Sequence, residues 1–158
     1  MKYRCLYDEE LKELEEDFKH FLITNAIYDD DWVKLNKENP NKAQELVEMF
    51  SDVVFDKVLK GLQFLEHITP DSINAFFCSE KEIVLIGITS KDQSVDFTKD
   101  TLERFKNNLD IFKTIKPYYK EREREVFDLI ESGCSIISEE RFKKLELAYT
   151  YSTQQVKN

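Results

Sequence analysis

The sequence predicts an α+β fold: N-terminal helices packed on an antiparallel meander sheet of three to four strands, followed by further C-terminal helices. Two observations carry this prediction. Up to about Lys60, apolar residues recur every three to four positions, as on one face of a helix. After Gly61 the apolar runs become short and rich in Ile, Val and Phe, and turn-like segments separate them.

Three helices are expected before Gly61. The first spans Asp8 to Asn25 and carries an apolar stripe among acidic and basic side chains. The second runs from about Trp32 to Glu38, after three aspartates that suit a helix N-terminus. The third opens at Pro40. The first stripe could be buried in the protein's own core or support a homodimer, and both interpretations stay open. It comprises Leu11, Leu14, Phe18, Phe21 and Leu22.

The meander has a predicted register. The turn at 69–72 would place His67 opposite Asn74, and the turn at 79–82 would place Asn74 opposite Gly87. Because neighbouring residues of a strand face opposite sides, Glu66 would be the one acid on the apolar face and His67 would lie on the other face. The predicted strands cover 62–68, 73–79, 82–89 and 109–116.

Mixed elements follow the meander. Helices are predicted over 98–107 and 121–131, and a last helix from Ser138 to about Tyr149. Residues 150–158 are expected to form a polar, flexible tail. We therefore expect a single domain over residues 1–149, helical over 1–61 and mixed over 62–149.

Composition and charge narrow the class of protein. The chain has 158 residues, 41 % of them hydrophobic, and its formal net charge is −9. This mix is typical of a globular protein and argues against disorder and against a membrane bundle. Three widely spaced cysteines indicate a reducing compartment. No apolar leader or run of about 20 apolar residues occurs. We expect a soluble, cytoplasmic protein without membrane association.

No cofactor and no metal are expected. His20 and His67 are far apart, and no paired-cysteine or H-x-x-x-H spacing occurs. The phosphate-binding glycine motifs are absent. The three aspartates at 29–31 are better explained as helix caps than as a cation site. Cys134 is better explained as a packing residue than as a reactive thiol.

One polar constellation could carry chemistry. If the first strand folds back along the third helix, Ser51 and Asp52 reach the level of Glu66 and His67. As a functional site this would be a general acid/base pair, or an Asp-oriented histidine near Ser51, in a small hydrolase-like or ligand-binding domain. As a structural feature it would be a hydrogen-bond network joining helix to strand, which is the favoured interpretation. The candidate ligand-binding residues beside His67 are Asn74 and Gly87.

A basic and aromatic segment is the second candidate site. Residues 104–124 hold seven basic and three acidic side chains in an otherwise acidic chain. Such a segment could hold an acidic peptide or, weakly, nucleic acid. The favoured alternative is a solvated strand edge and helix start whose charges neighbouring glutamates neutralise. The candidate interaction residues are Lys113, Lys116, Tyr118, Tyr119, Arg122 and Arg124.

Several short motifs occur together in one order, from Met1 to about Leu145. In that order the chain resembles a family of small bacterial proteins of unknown function. The resemblance implies a bacterial, cytosolic, single-domain protein and assigns no activity. The motifs are Met1-Lys2-Tyr3, Trp32, Phe50-Ser51-Asp52, Leu65-Glu66-His67, Leu85-Ile86-Gly87 and the segment 127–133.

Together these observations favour a protein-interaction or regulatory module without catalytic activity, whose partner is another protein. The acidic balance argues against nucleic acid as the main partner. The alternatives are the hydrolase-like or ligand-binding site and weak nucleic-acid binding described above.

Overall fold

The computed structural model describes residues 1–100 and 108–157, and within them the fold is α+β. Helices precede and follow an antiparallel sheet, as predicted. The chain divides into two compact units, Met1–Leu59 and Lys60–Asn158, close to the predicted change from helical to mixed structure. The helix predicted over 98–107 falls largely outside the described residues.

The first unit is helical. The predicted helix over 8–25 is two helices, because the backbone leaves helical geometry at Leu14, with φ −102° and ψ 22°. The apolar stripe continues across this break, so periodicity alone could not reveal it. The helices are α1 (Asp8–Glu13), α2 (Glu15–Thr24), α3 (Asp29–Glu38) and α4 (Pro40–Gly61), the last ending two residues past the unit boundary.

An aromatic cluster forms the core of the first unit. The ring of Phe50, on α4, lies 5.0 Å from that of Phe18 and 5.4 Å from that of Phe21. Trp32 meets Phe18 edge-on at 5.2 Å. Such ring pairs stabilise by about 0.5–1.5 kcal/mol beyond the area they bury. The structure thus places two phenylalanines of the first stripe in the core of their own unit.

The second unit contains the sheet. Its strand order is β4-β3-β2-β1-β5, and all neighbours are antiparallel. The predicted pairs His67–Asn74 and Asn74–Gly87 are confirmed. The strands are β1 (Phe64–Ile68), β2 (Ser72–Cys78), β3 (Glu82–Ser90), β4 (Leu109–Pro117) and β5 (Ser135–Ile136).

The strand count differs from the three to four predicted, because β5 adds a fifth strand. This strand has two residues, too few for any periodic pattern to indicate it. It pairs with Leu65 and Glu66 of β1. A main-chain hydrogen bond from Ile137 to Phe64 continues the ladder.

Two helices follow β4 with β5 between them, α5 (Arg122–Glu131) and α6 (Glu139–Lys157). Phe142 and Leu145 of α6 join the core cluster on the apolar face of the sheet, with Ile73, Ala75 and Ile86. The predicted tail from residue 150 is helical as far as Lys157, because no Gly or Pro interrupts it. No helix in the described residues is both long enough and apolar enough to span a membrane.

A strained residue follows α2. Ala26 has φ 60°, and it occupies the position after a helix end that glycine usually takes. Ala26 donates its N–H to Ile23, and Ile27 donates to Leu22, which completes a Schellman motif. A Cβ in this left-handed conformation costs about 1–2 kcal/mol.

We predict that Ala26→Gly raises the free energy of unfolding by about 0.5–1 kcal/mol. Relief of the left-handed strain outweighs the extra freedom that glycine gives the unfolded chain. Ala26→Val, at the same site, should lower it, because a β-branched side chain fits this conformation worse. Urea denaturation of the three proteins tests both signs. Equal stabilities would show that Ala26 carries no strain.

Candidate functional site

Ser51 and Asp52 both bind the N-terminal segment of the first unit. The Ser51 hydroxyl accepts the N–H of Leu6 at 2.9 Å and donates to the carbonyl of Val47 at 2.7 Å, and the side chain is fully buried. The Asp52 carboxylate accepts the N–H of Lys2 at 2.9 and 3.0 Å. Both side chains thus satisfy main-chain groups in a structural network.

Glu66 lies on the apolar face of the sheet, as predicted, and has an ion-pair partner there. Its carboxylate receives the Arg141 Nε at 3.3 Å from α6, and only 14 % of the Glu66 side chain is exposed. An unpaired carboxylate at this position would be costly to desolvate. Sequence reasoning missed Arg141; the available signal was a basic residue beside the apolar stripe of the last helix.

His67 lies on the opposite face and packs against the turn after α5. Its Nε2 is 3.2 Å from the position that a Cβ on Gly133 would occupy. Gly133 has φ +113°, which L side chains rarely adopt. The N–H groups of Gly133 and Cys134 bond back to Ile130 and Leu129, in a second Schellman motif. Within the described ranges, no hydrogen bond joins the His67 ring to another residue.

Gly87 is a packing site for an aromatic ring. The Phe112 ring from β4 lies over Gly87, and a Cβ there would come within 2.1 Å of the ring. Cross-strand pairing places one row of residues across the sheet, in the order His67, Asn74, Gly87 and Phe112. The predicted row exists, but at Gly87 it is covered by a side chain of the protein itself.

Most of the basic side chains that the structure describes within residues 104–124 contact other groups of the same chain. The Arg122 guanidinium donates to the main-chain carbonyls of Leu62, Cys78 and Ser79, and 13 % of the side chain is exposed. The Tyr118 hydroxyl donates to Ser79 at 2.6 Å. Burial raises the pKa of Tyr118 to about 12. These contacts join the start of α5 to the hairpins of the sheet.

The remaining interaction candidates divide into paired and exposed residues. Lys113 pairs with Glu146 of α6 at 3.4 Å. Arg124 pairs with Asp128 at 3.3 Å, and its guanidinium lies over the Phe127 ring. Lys116 is exposed, and Tyr119 is 87 % exposed.

Strand β4 forms one edge of the sheet. It has nine residues and pairs with β3 alone among the described strands. Lys91, just past β3, donates its N–H to Asn108, just before β4. Antiparallel hydrogen bonding alternates along the strand, so even-numbered residues of β4 bond β3. The main-chain groups of Ile111, Lys113 and Ile115 therefore point outward.

This edge carries two exposed apolar side chains among its charged residues. Phe112 is 47 % exposed and Ile115 is 55 % exposed. The opposite edge ends in the two-residue β5, which offers few groups for pairing. The outer edge of β4, defined here by residues 109–117, is thus the longest unpaired strand edge among the described residues.

No set of three or more His, Cys, Asp or Glu side chains in the described ranges is arranged to hold a metal ion. Cys78 and Cys134 are buried, and desolvation raises the pKa of both thiols, that of Cys78 to about 11. Cys5 is half-buried and accepts a hydrogen bond from Gln44.

Comparison with known protein families identifies the relationship of the chain. A family model matches residues 1–150. This chain belongs to DUF6495, a family of unknown function. Neither the curated proteins nor the solved structures give a match. Family membership assigns no activity, so any function has to be argued from the geometry above.

We predict that Gly87→Ala lowers the free energy of unfolding by about 1 kcal/mol, because the new methyl group displaces the Phe112 ring. In a Phe112→Ala background the same change should be neutral or slightly stabilising, since alanine suits a strand better than glycine. Urea denaturation of the four proteins gives the coupling. An equal loss in both backgrounds would show that the ring contact is unimportant.

We predict that the folded chain has one fast-reacting thiol, that of Cys5. At pH 8 the thiols of Cys78 and Cys134 are buried and protonated, so they should react at least about tenfold more slowly. A chromogenic disulfide reagent should titrate one group in buffer and all three in denaturant. A Cys5→Ser variant should lose the fast phase, and its persistence would contradict the assignment.

Proposed function

We propose that this chain is a protein-interaction module that binds an extended segment of its partner by strand addition to the outer edge of β4. The observation that carries the proposal is a nine-residue edge whose outward main-chain groups have no strand partner among the described residues. Strand addition uses such groups for affinity and the alternating side chains for specificity.

The side chains around this edge suit a protein partner. Ile115 and Phe112 offer exposed apolar surface, and Tyr119 adds an exposed aromatic ring just beyond the strand. Aromatic side chains are enriched at the centres of protein interfaces. Arg122 and Lys113 are engaged in internal contacts, which leaves less charge for tracking a phosphate backbone.

The polar residues support a module better than a hydrolase. Ser51 and Asp52 satisfy main-chain groups of the N-terminal segment, and Glu66 neutralises Arg141. A nucleophile needs a base within hydrogen-bond reach, and the partners of the Ser51 hydroxyl are both main-chain groups. The free cysteines and the family resemblance support a bacterial, cytoplasmic setting for the module.

We predict that Ile115→Pro removes the partner while Ile115→Val keeps it. Proline deletes an outward N–H without touching the ladder to β3, whereas valine preserves that N–H and the apolar surface. Affinity capture from the native lysate, quantified by mass spectrometry, should recover about tenfold less partner with the proline variant.

A circular-dichroism melt of both variants controls for folding. Equal recovery of the same partners by Ile115→Pro and the wild type would rule out the edge of β4 as the binding surface.

A further inference from the structure

We propose that the strand added to β4 is β4 of a second copy of this chain, paired antiparallel about a two-fold axis at Lys113. This inference rests on the proposed function and names the occupant of the edge. A two-fold axis perpendicular to the sheet makes two identical edge strands antiparallel, and such closed pairs are the commonest homo-oligomers. The result would be a sheet continuous across both copies.

The direction of the main-chain groups limits the register. Outward groups must face outward groups, and in β4 these belong to the odd-numbered residues. This condition allows a symmetric pair centred on any one residue of β4. The registers centred on residues 112, 113 and 114 pair the greatest length of the strand, so these three are the candidates. A slip by one residue within this set changes every cross-strand pair, so the side chains can decide among the three.

The register centred on Lys113 is the self-complementary one. It places Ile111 opposite Ile115 of the second copy and Asp110 opposite Lys116 of the second copy. Symmetry produces each of these pairs twice. Apolar pairs and opposite charges directly across two strands both stabilise a sheet.

The other two registers match less well. Centred on residue 112, Ile111 would face Lys113 of the second copy, and Asp110 would face Thr114. Centred on residue 114, Lys113 would face Ile115 of the second copy, and Phe112 would face Lys116. Neither places a pair of opposite charges across the axis.

The Lys113 side chains meet at the axis in the favoured register, but each already has a counter-ion. Lys113 lies 3.4 Å from the carboxylate of Glu146 on α6. Two lysines and two glutamates would therefore surround the axis with no net charge. Lysine at an edge often protects it from pairing. Here the Lys113 side chain instead pairs with Glu146 on α6 of its own copy.

The acid of the charged pair is available for a second cation. Asp110 is exposed and lies 3.6 Å from Lys91, while Lys116 on the same face has no ion-pair partner in the described residues. In the favoured register, each Asp110 would lie between Lys91 of its own copy and Lys116 of the second copy. The pairing therefore uses charges that the single chain leaves on its surface.

A charge-swap experiment tests the occupant and the register together. Sedimentation equilibrium of the full chain should show a concentration-dependent dimer. Asp110→Lys alone and Lys116→Asp alone each create two like-charge contacts and should raise the dimer dissociation constant about tenfold. The double variant Asp110→Lys/Lys116→Asp restores opposite charges and should return to within about twofold of the wild type.

The outcomes separate this inference from the proposed function. A wild-type chain that stays monomeric at all soluble concentrations overturns the second copy, and the proposed function survives if Ile115→Pro still loses a captured partner. A dimer that Ile115→Pro leaves intact uses another surface and also overturns it. The third outcome is a dimer that Ile115→Pro weakens but whose dissociation constant the double variant Asp110→Lys/Lys116→Asp does not restore. That result would overturn the register centred on Lys113.

Discussion

Two hairpin turns hold the register on which the rest of the second unit depends. Thr69 and Ser72 exchange main-chain hydrogen bonds, and Ser79 donates its N–H to Glu82. These bonds fix which residues of each strand face α6 and which main-chain groups point along the sheet. A slip of one residue would exchange the two faces. Glu66 would then leave Arg141, and the apolar residues that pack on α6 would face the other way.

This local origin explains why so much of the sheet could be predicted from the sequence. Turn residues lie beside the strands they join, so the pairing of His67 with Asn74 followed from spacing alone. Contacts between distant segments could not be predicted in the same way. Arg141 is 75 residues from Glu66, and nothing near Glu66 indicates its partner. The ring of Phe112 over Gly87 is a similar case, because it depends on how β4 returns to β3.

The candidate site was harder to predict than the sheet. The sequence shows which residues are polar, but it does not show which groups form hydrogen bonds with them. Ser51 and Asp52 were candidates because they carry reactive side chains, yet both bind main-chain N–H groups. The sequence predicts Arg122 to be a solvated surface charge, but its guanidinium donates hydrogen bonds to the main-chain carbonyls of Cys78 and Ser79. Main-chain groups appear in no residue pattern, so this use of side chains becomes visible only once the chain is folded. Two of the short segments on which the resemblance is based, Met1-Lys2-Tyr3 and Phe50-Ser51-Asp52, bind each other in this way.

The two edges of the sheet show how the fold treats exposed main-chain groups. At one edge, the turn at Gly133 ends α5 and returns the chain for two residues beside β1, and the strand then stops. At the other edge, β4 runs for nine residues and keeps Ile115 exposed. The length of β4 matches β3, because it pairs with every residue of that strand, but closing the sheet does not require an exposed apolar side chain. The difference between the edges therefore favours β4 as the place where another chain is added, and it makes the direction of its odd-numbered main-chain groups the feature that any partner must match.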